Sequence, residues 1–396
     1  SPIGGGLSQR ITLSGANYEY DFNNLNAKMY ISDCETPMGE IVLTRLHIAP
    51  DSLPNSNQNV EDYWIINGFD GSETFSILDS IEITPEKTDF ADSLNSTNDA
   101  ILFSRNSPNE HLNNWSPKSK ASSLSNNTFT YHRSSQISMP SQLFLTNGGD
   151  YFDETDPGKS CEPDTIPGNS VKTLAQGDWV QTPHLGFTTD TFTISAWIKP
   201  TGFQSEYAGI LINDITTAGF NFRENNNTLG YHWLGGAWWW DSGLEAPPDE
   251  WSHVALVITP TSATVYLNGV GATNNRALSP VFFEGTKIGS YKGWSGRNYV
   301  GEMDEVCVWR RALSQDEIRE LIHLTKEDVV GVDSTLHLYF QFNEDNGEIV
   351  DKSGNNYHST LTGNATRMTS TAPVGGGESE RMSVNSGGVK HFQNTG

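Results

Sequence analysis

GEMDEVCVWRRALSQDEI, residues Gly301 to Ile318, is the stretch from which the fold is read. Met303, Glu305, Cys307 and Trp309 point one way at the two-residue period of a strand, and Asp304, Val306 and Val308 point the other. The pattern predicts a strand with one mostly apolar face. Ser314-Gln315-Asp316-Glu317 follows with capping-box spacing, in which a hydroxyl and a carboxylate satisfy orphan amides. Ile318, Leu321 and Ile322 then recur at helical intervals, so a short cap helix near 314–323 is predicted to close the strand.

The same two-residue alternation runs outward from this stretch. Phe192, Ile194, Ala196 and Ile198 share one face, and Val254, Leu256 and Ile258 share another. Val265 and Leu267 lead into Asn268-Gly269, a type I′ hairpin signal, and these faces are expected to meet between two sheets. Downstream, Leu336–Phe342 reads as a late strand and Asp351–Asn356 as a tight Asx- and Gly-rich loop. Upstream, from Arg10 to about Asn147, apolar runs are separated by Asn, Ser, Asp, Gly and Pro, with strands predicted at Glu40–Ile48, Tyr63–Ile66, Phe75–Ile83, Ala100–Ser104, Thr128–His132 and Gln142–Thr146. Helical periodicity is absent there, which suits an antiparallel sandwich.

Gly301–Ile318, together with Gly177-Asp178-Trp179-Val180, TFTISAWIKP (Thr191–Pro200), EWSHVALVIT (Glu250–Thr259), TVYLNG (Thr264–Gly269) and LYFQFNEDNGEIVDKSGNNYHSTL (Leu338–Leu361), resembles laminin-G-like, concanavalin A-type jelly rolls. More loosely, YWIINGF (Tyr63–Phe69), ILFSR and SQLFLTNGG resemble β-sandwich modules of large bacterial surface proteins exported through the type IX pathway. The implied fold class is all-β: a β-sandwich module over 1–147, an acidic Gly/Pro-rich linker over 148–168, a laminin-G-like jelly roll over 169–371, and over 372–396 the first strand of a next repeat.

The repeat is read from the residues themselves. SPIGGGLSQRITLSG (Ser1–Gly15) recurs as APVGGGESERMSVNSG (Ala372–Gly387), with Pro2, Gly4 to Gly6 and Arg10 matched by Pro373, Gly375 to Gly377 and Arg381 at an offset of 371 residues. A tandem-repeat architecture is therefore expected, with neighbouring repeats of the same protein as partners in a homo-oligomer or fibre. The chain opens at Ser1 without a signal peptide and is read as a piece of something longer.

The length of 396 residues suits two or three domains. With 48 acidic against 24 basic residues the net charge is −24, which repels phosphate backbones; nucleic acid is not expected as a partner, whereas divalent cations are. The alternative reading of the charge is solubility alone. No apolar run approaches the ~20 residues of a membrane span. Cys307 reads as a buried small hydrophobe, and Cys34 and Cys161 as a pair whose bridging only pairing arithmetic suggests.

Nine of the eleven tryptophans fall between Trp179 and Trp309. YHWLGGAWWW holds Trp233, Trp238, Trp239 and Trp240, and Tyr291 and Trp294 sit in another Gly-rich turn. As a strand, 238–240 would turn Trp238 and Trp240 one way and Trp239 the other, leaving at least one indole exposed. These six rings are the candidates for stacking on sugar faces, with core filling or a repeat interface as the competing reading. For calcium, the jelly-roll resemblance implies Asp304, with Asp351, Asn355 and Asp345 completing an oxygen shell; alternatively Asp304 caps a sheet edge or pairs with Arg310 or Arg311. A second, looser calcium reading falls on Asp150, Asp153, Glu154 and Asp156, against a simple acidic linker.

Catalysis is tested against the E-x-D-x-x-E pattern of jelly-roll glucanases. Here Glu302-x-Asp304-x-x ends at Cys307, so this strand lacks the second carboxyl that retaining glycosidases hold about 5–5.5 Å from the first. The ten histidines show no metal-ligand spacing, and there is no P-loop, nucleophile elbow or dinucleotide fingerprint. The expected role is a non-catalytic repeat unit of a large extracellular bacterial surface protein, building an adhesive filament, stalk or appendage at the cell surface. The alternative is a lectin-like carbohydrate-binding module that recognises polysaccharide, and a third reading is an unusual glycosidase.

Overall fold

The computed structural model describes residues 18–22, 25–31, 39–46, 63–69, 80–84, 100–105, 115–125, 128–132, 141–147, 168–234, 238–326, 333–375 and 377–384. The opening repeat at 1–15, the acidic stretch with Asp150, Asp153, Glu154 and Asp156, and both Cys34 and Cys161 lie outside the described residues. The chain divides into two units, one of 1–167 with 323–325 and 373–396, the other of 168–322 with 326–372.

The first unit is a β-sandwich. One sheet pairs β1 (Tyr18–Phe22), β2 (Ala27–Ile31), β5 (Ser80–Ile83), β9 (Thr128–His132) and β8 (Ser123–Ser125) in that order. The other has the order β27 (Gly377–Val384), β3 (Gly39–Leu46), β4 (Tyr63–Phe69), β10 (Ser141–Asn147), β6 (Ala100–Arg105) and β7 (Ser116–Lys120). Alternate residues explain the core: Met29, Ile81, Ile83, Phe129 and Tyr131 from one sheet meet Ile41, Leu43, Trp64, Ile66, Leu102 and Leu143 from the other. The outer face of the six-stranded sheet is also covered, by a second cluster in which Tyr63, Ile65, Phe103, Trp115 and Phe144 pack with Leu324. A described strand overlaps each of the six predicted ranges, and residues 47–48 and 75–79 of those ranges lie outside the described residues.

The second unit has the laminin-G-like, concanavalin A-type jelly-roll fold. Its larger sheet has the order β20 (Val270–Asn275), β19 (Ser262–Leu267), β18 (Ser252–Thr259), β14 (Phe192–Pro200), β23 (Gly301–Trp309), β11 (Asn169–Thr173) and β26 (Thr366–Thr369), and β24 (Leu336–Phe340) also pairs with β23. The facing sheet has the order β17 (Leu229–His232), β16 (Gly219–Phe222), β15 (Gly209–Asn213), β22 (Thr286–Ile288), β12 (Trp179–Gln181) and β25 (Thr360–Thr362). A small ribbon joins β13 (Phe187–Thr189) and β21 (Val281–Phe283).

The predicted core faces meet as expected. Phe192, Ile194, Ala196, Ile198, Val254, Leu256, Ile258 and Val265 lie in one cluster with Leu211, Phe220, Phe222, Leu229 and Ile288 of the opposite sheet. Asn268 and Gly269 both take positive φ, 47° and 79°, as a type I′ turn requires between β19 and β20. Helix α1 (Gln315–Leu321) is capped as the spacing predicts: the Ser314 hydroxyl accepts from the Glu317 amide at 3.2 Å, and Glu317 Oε2 accepts from the Ser314 amide at 2.8 Å.

β23 departs from strict alternation. Ser195 faces Cys307 and Trp197 faces Asp304, so β23 carries an extra residue opposite Ala196; Glu305 there has φ 50°. The bulge moves Val306 and Val308 onto the core face with Met303, and leaves Cys307 and Trp309 buried on the other. The expectation that Met303 shares a face with Glu305, Cys307 and Trp309 is thus corrected. That second face is covered rather than wet: Trp197, which projects there from β14, donates to the Ile322 carbonyl just after α1 at 2.8 Å, and Arg319 donates to Gly269 O at 3.1 Å.

The same face buries a polar network. Glu305 Oε2 accepts from Tyr339 at 2.6 Å and lies 3.6 Å from Lys326 Nζ, while Gln341 donates to the Tyr339 hydroxyl at 2.8 Å. Asp304 accepts from the Ser370 hydroxyl at 2.6 Å and from the Glu305 amide at 2.8 Å. Burial, reinforced by the neighbouring Glu305 charge, holds the Asp304 carboxyl well above the usual carboxylate range. The folded state therefore keeps a proton that the unfolded chain releases above about pH 4. Stability from this proton is fully present at low pH and is lost as pH rises towards the raised folded pKa. Asp304→Asn removes the titration, so the melting temperature of the wild type minus that of the variant should fall as the pH rises above about 4, the unfolded value. Thermal melts followed by circular dichroism read the difference, and a constant difference contradicts the assignment.

Candidate functional site

The residues that gather into a site do so on loops bordering the six-stranded sheet of the jelly roll. The segment Gly289–Asn298 folds back on itself because Gly289, Lys292, Gly293 and Gly296 all take positive φ, at 87°, 58°, 72° and 76°. Trp294 N donates to Tyr291 O at 3.0 Å, Arg297 N to Trp294 O at 3.2 Å, and Tyr291 N to Arg297 O at 3.0 Å. Gly209 at the start of β15 donates to that same Arg297 carbonyl at 3.1 Å. It has to be glycine, because a Cβ there would stand 2.5 Å from the Ser290 carbonyl carbon.

This loop turns Tyr291, Trp294 and Arg297 towards one another and towards Tyr207. The Arg297 guanidinium carbon lies 4.8 Å from the Tyr207 ring centre, 5.1 Å from that of Tyr291 and 5.1 Å from that of Trp294. Arg223 covers Tyr207 as well, at 5.4 Å, and donates to the Tyr207 hydroxyl at 3.3 Å and to Glu206 at 3.1 Å. Trp238 meets the Tyr207 ring edge-on at 6.5 Å, and Lys292 Nζ sits 5.8 Å over Trp294. His232, the outward residue at the end of β17, bonds through Nδ1 to the Tyr291 hydroxyl.

Electrostatics sets this patch apart from the acidic chain around it. Arg223 has Glu206 and Glu224 as ion-pair partners, but no carboxylate among the described residues pairs with Arg297. Burial first, then the charges of Arg297 and Lys292, lower the His232 pKa below its ordinary value, so its imidazole is neutral at pH 7. Burial raises the Tyr291 and Tyr207 phenols, keeping both as hydrogen-bonding hydroxyls. The result is a cluster of aromatic rings around a cation, with two of its indoles open to solvent: Trp238 is 47% exposed and Trp294 48%.

The six aromatic candidates divide between core and surface. Trp233, which follows β17 directly, is fully buried; it packs in the core and donates to Ser279 O at 2.8 Å. Trp240 is half-buried and meets Tyr231 edge-on at 5.7 Å, against the same core. Residues 238–240 form a turn and not a strand, so the expected alternation of their indoles does not apply; Trp239 is 55% exposed. Tyr291 keeps its place, with a buried ring and its hydroxyl on His232. Tyr207, Arg223, Arg297 and His232 were not among the candidates. The interleaving of Lys292, Trp294 and Arg297 between glycines was the available signal for Arg297, but Tyr207 lies more than eighty residues away, and only the fold brings it close.

The calcium candidates are committed to protein donors. Asp351 Oδ1 accepts from the Tyr339 and Ser353 amides at 3.0 and 2.9 Å, and Oδ2 from the Ser353 hydroxyl and the Tyr357 amide at 2.9 and 3.0 Å. Asn355 Nδ2 donates to the Leu336 and His337 carbonyls at 3.2 and 3.1 Å, and Asp345 is exposed. Asp304 bonds to Ser370 and not to Arg310 or Arg311; Arg311 pairs with Glu317 at 2.9 Å and Asp333 at 3.0 Å. Among the described residues, no three His, Cys, Asp or Glu side chains gather as metal ligands. On the glucanase-like strand, Glu302 lies 3.8 Å from Lys172 and Asp304 is buried. Cys307 occupies the third position, its thiol pushed up to about 12 by burial. No described helix is long and apolar enough to cross a membrane.

Residues 174–319 match a laminin-G-type family described as the concanavalin A-like lectin/glucanases superfamily. A search of the curated proteins found no match. Among solved structures the chain is similar to a carbohydrate-binding candidate from Bacteroides ovatus, with 12% identity, 94% of this chain and 98% of that one covered, and a TM-score of 0.44. It is also similar to domain 4 of AbnA, a GH43 extracellular arabinanase of Geobacillus stearothermophilus in complex with arabinotriose, with 19% identity, coverages of 40% and 87%, and a TM-score of 0.32. A heptameric pentraxin from Limulus polyphemus is similar at 14% identity over 53% of this chain and 99% of that one, with a TM-score of 0.35.

Gly209→Ala should destabilise the second unit by about 1–3 kcal/mol, since the clash is with backbone and not with a flexible side chain. Chemical unfolding should show the loss, together with a red shift of the tryptophan emission as the Gly289–Asn298 loop opens. An unchanged midpoint and spectrum contradict the part assigned to Gly209.

Proposed function

We propose that this chain is a non-catalytic carbohydrate-binding module of an extracellular protein, and that it takes a saccharide on the platform of Trp238, Tyr207, Arg297 and Trp294. The observation that carries the reading is the Arg297 guanidinium among three aromatic rings, with no carboxylate partner among the described residues, in a chain of net charge −24. Open indole faces suit the apolar faces of sugar rings, and a cation fixed beside them supplies a charge-assisted donor. The geometry favours a saccharide with an acidic substituent, which Arg297 and Lys292 would meet together. The family description, which names lectins, supports the same reading.

A second reading is that the chain is a repeat unit of a large adhesive surface protein of the type IX-exported kind, built into a filament, stalk or appendage. Its support is the recurrence of residues 1–15 at 372–387. Asp351, whose carboxylate already accepts four protein hydrogen bonds, and the protonated Asp304 bonded to Ser370 make poor calcium ligands, so calcium forms no part of this proposal.

Three outcomes are expected. On a glycan array the chain should bind a subset of acidic oligosaccharides, and by titration calorimetry Arg297→Ala should weaken the best of them about tenfold, the loss of about 1.4 kcal/mol. Arg297→Lys should restore only part of this, because a point charge lacks the planar fork. No binding to any glycan, or equal binding by the Arg297→Ala variant, contradicts the saccharide reading.

A further inference from the structure

The first sandwich is completed by a strand that follows the jelly roll in sequence. β27 pairs antiparallel with β3 along its whole length, from Gly377 opposite Leu46 to Val384 opposite Gly39. It forms the edge of the six-stranded sheet, and β3 has β4 as its other neighbour. Without it, the edge of β3 would present the backbone groups of alternate residues without strand partners, beside side chains that are now buried, among them Ile41, Val42, Leu43 and Leu46.

This strand has a double in the sequence. At the repeat offset of 371 residues, Gly377–Val384 (GESERMSV) aligns with Gly6–Leu13 (GLSQRITL). Glycine, serine and arginine are identical, glutamate is matched by glutamine, methionine by isoleucine, serine by threonine and valine by leucine. The sequence thus carries this pattern twice, while among the described residues one β3 edge of the kind that β27 occupies is present.

We propose that the edge of β3 is a strand-addition site for a second copy of this unit: the strand that opens one copy completes the sandwich of the copy before it. By sequence, 377–384 belongs with the opening of a unit; by pairing, it belongs to the sandwich that precedes the jelly roll. A shared strand couples consecutive units through an eight-residue ladder of backbone hydrogen bonds, with side chains at alternate positions setting the register. The proposal deepens the repeat reading above, supplying its joint, and does not depend on saccharide binding.

The test is a two-copy chain in which the opening strand of the second copy stands where 377–384 stands now. In a background with Cys34 and Cys161 replaced by serine, Ser8→Cys is placed in the second copy and Thr44→Cys in both copies. Ser379, the counterpart of Ser8, is the register partner of Thr44. After mild oxidation, tryptic peptides mapped by mass spectrometry, with the two copies distinguished by silent-mass tags, report which Thr44 position is linked. The expected result is linkage to the first copy in about tenfold excess over the second. Linkage within the second copy, or none, overturns the proposal while leaving the sequence repeat intact. Val42→Cys with Arg10→Cys, two residues along the same register, repeats the test should the first pair disturb folding.

Discussion

The jelly roll hangs on the antiparallel pairing of β14 with β23 at the middle of its larger sheet. All nine residues of β23 are buried, so this strand must find partners on both faces as well as both edges. Bulging at Glu305 is how it does so: the extra residue rotates Val306 and Val308 into the core and leaves the other face to Cys307, Trp309 and the network of Glu305, Lys326 and Tyr339. A buried carboxylate and ammonium contribute little net stability when paired, but removing either strands the other. The network therefore ties the chain after α1 to the central strand more by specificity than by binding energy.

The candidate site is a consequence of the facing sheet. β15, β16 and β22 hold the Gly289–Asn298 loop against Gly209, and that close backbone approach aims Arg297 at three rings supplied by distant parts of the sequence. Each cation–π contact at a partly exposed position is worth about 0.5–1 kcal/mol, enough together to orient the guanidinium without burying it. A binding surface of this kind is preorganised: the rings and cation are in place, and ordering costs on binding are correspondingly small.

Much of the fold was legible in the chain because burial and alternation coincide over long strands. The Phe192–Ile198 and Val254–Ile258 faces, the Asn268-Gly269 turn and the Ser314/Glu317 cap all follow from local chemistry and appear as expected. The bulge was not legible, since a positive φ at a glutamate leaves no mark in the residue pattern. For the site, the richness of tryptophan was the right signal but did not sort indoles by exposure. Trp233 and Trp238 are five residues apart and differ completely, because one follows β17 directly and packs into the core while the other stands in a turn. Tyr207 and Arg297 were beyond reach, as their meeting depends on which strands neighbour each other.

The most direct test of the platform is to follow the indole Nε1–H resonances of the folded chain by NMR while an acidic oligosaccharide is added. The account predicts that Trp238 and Trp294 shift in a saturable manner, with the Arg297 Nε–H, while Trp197, Trp233, Trp251 and Trp309 stay still in the core. Shifts confined to other tryptophans, or no saturable shift with any saccharide, would contradict it.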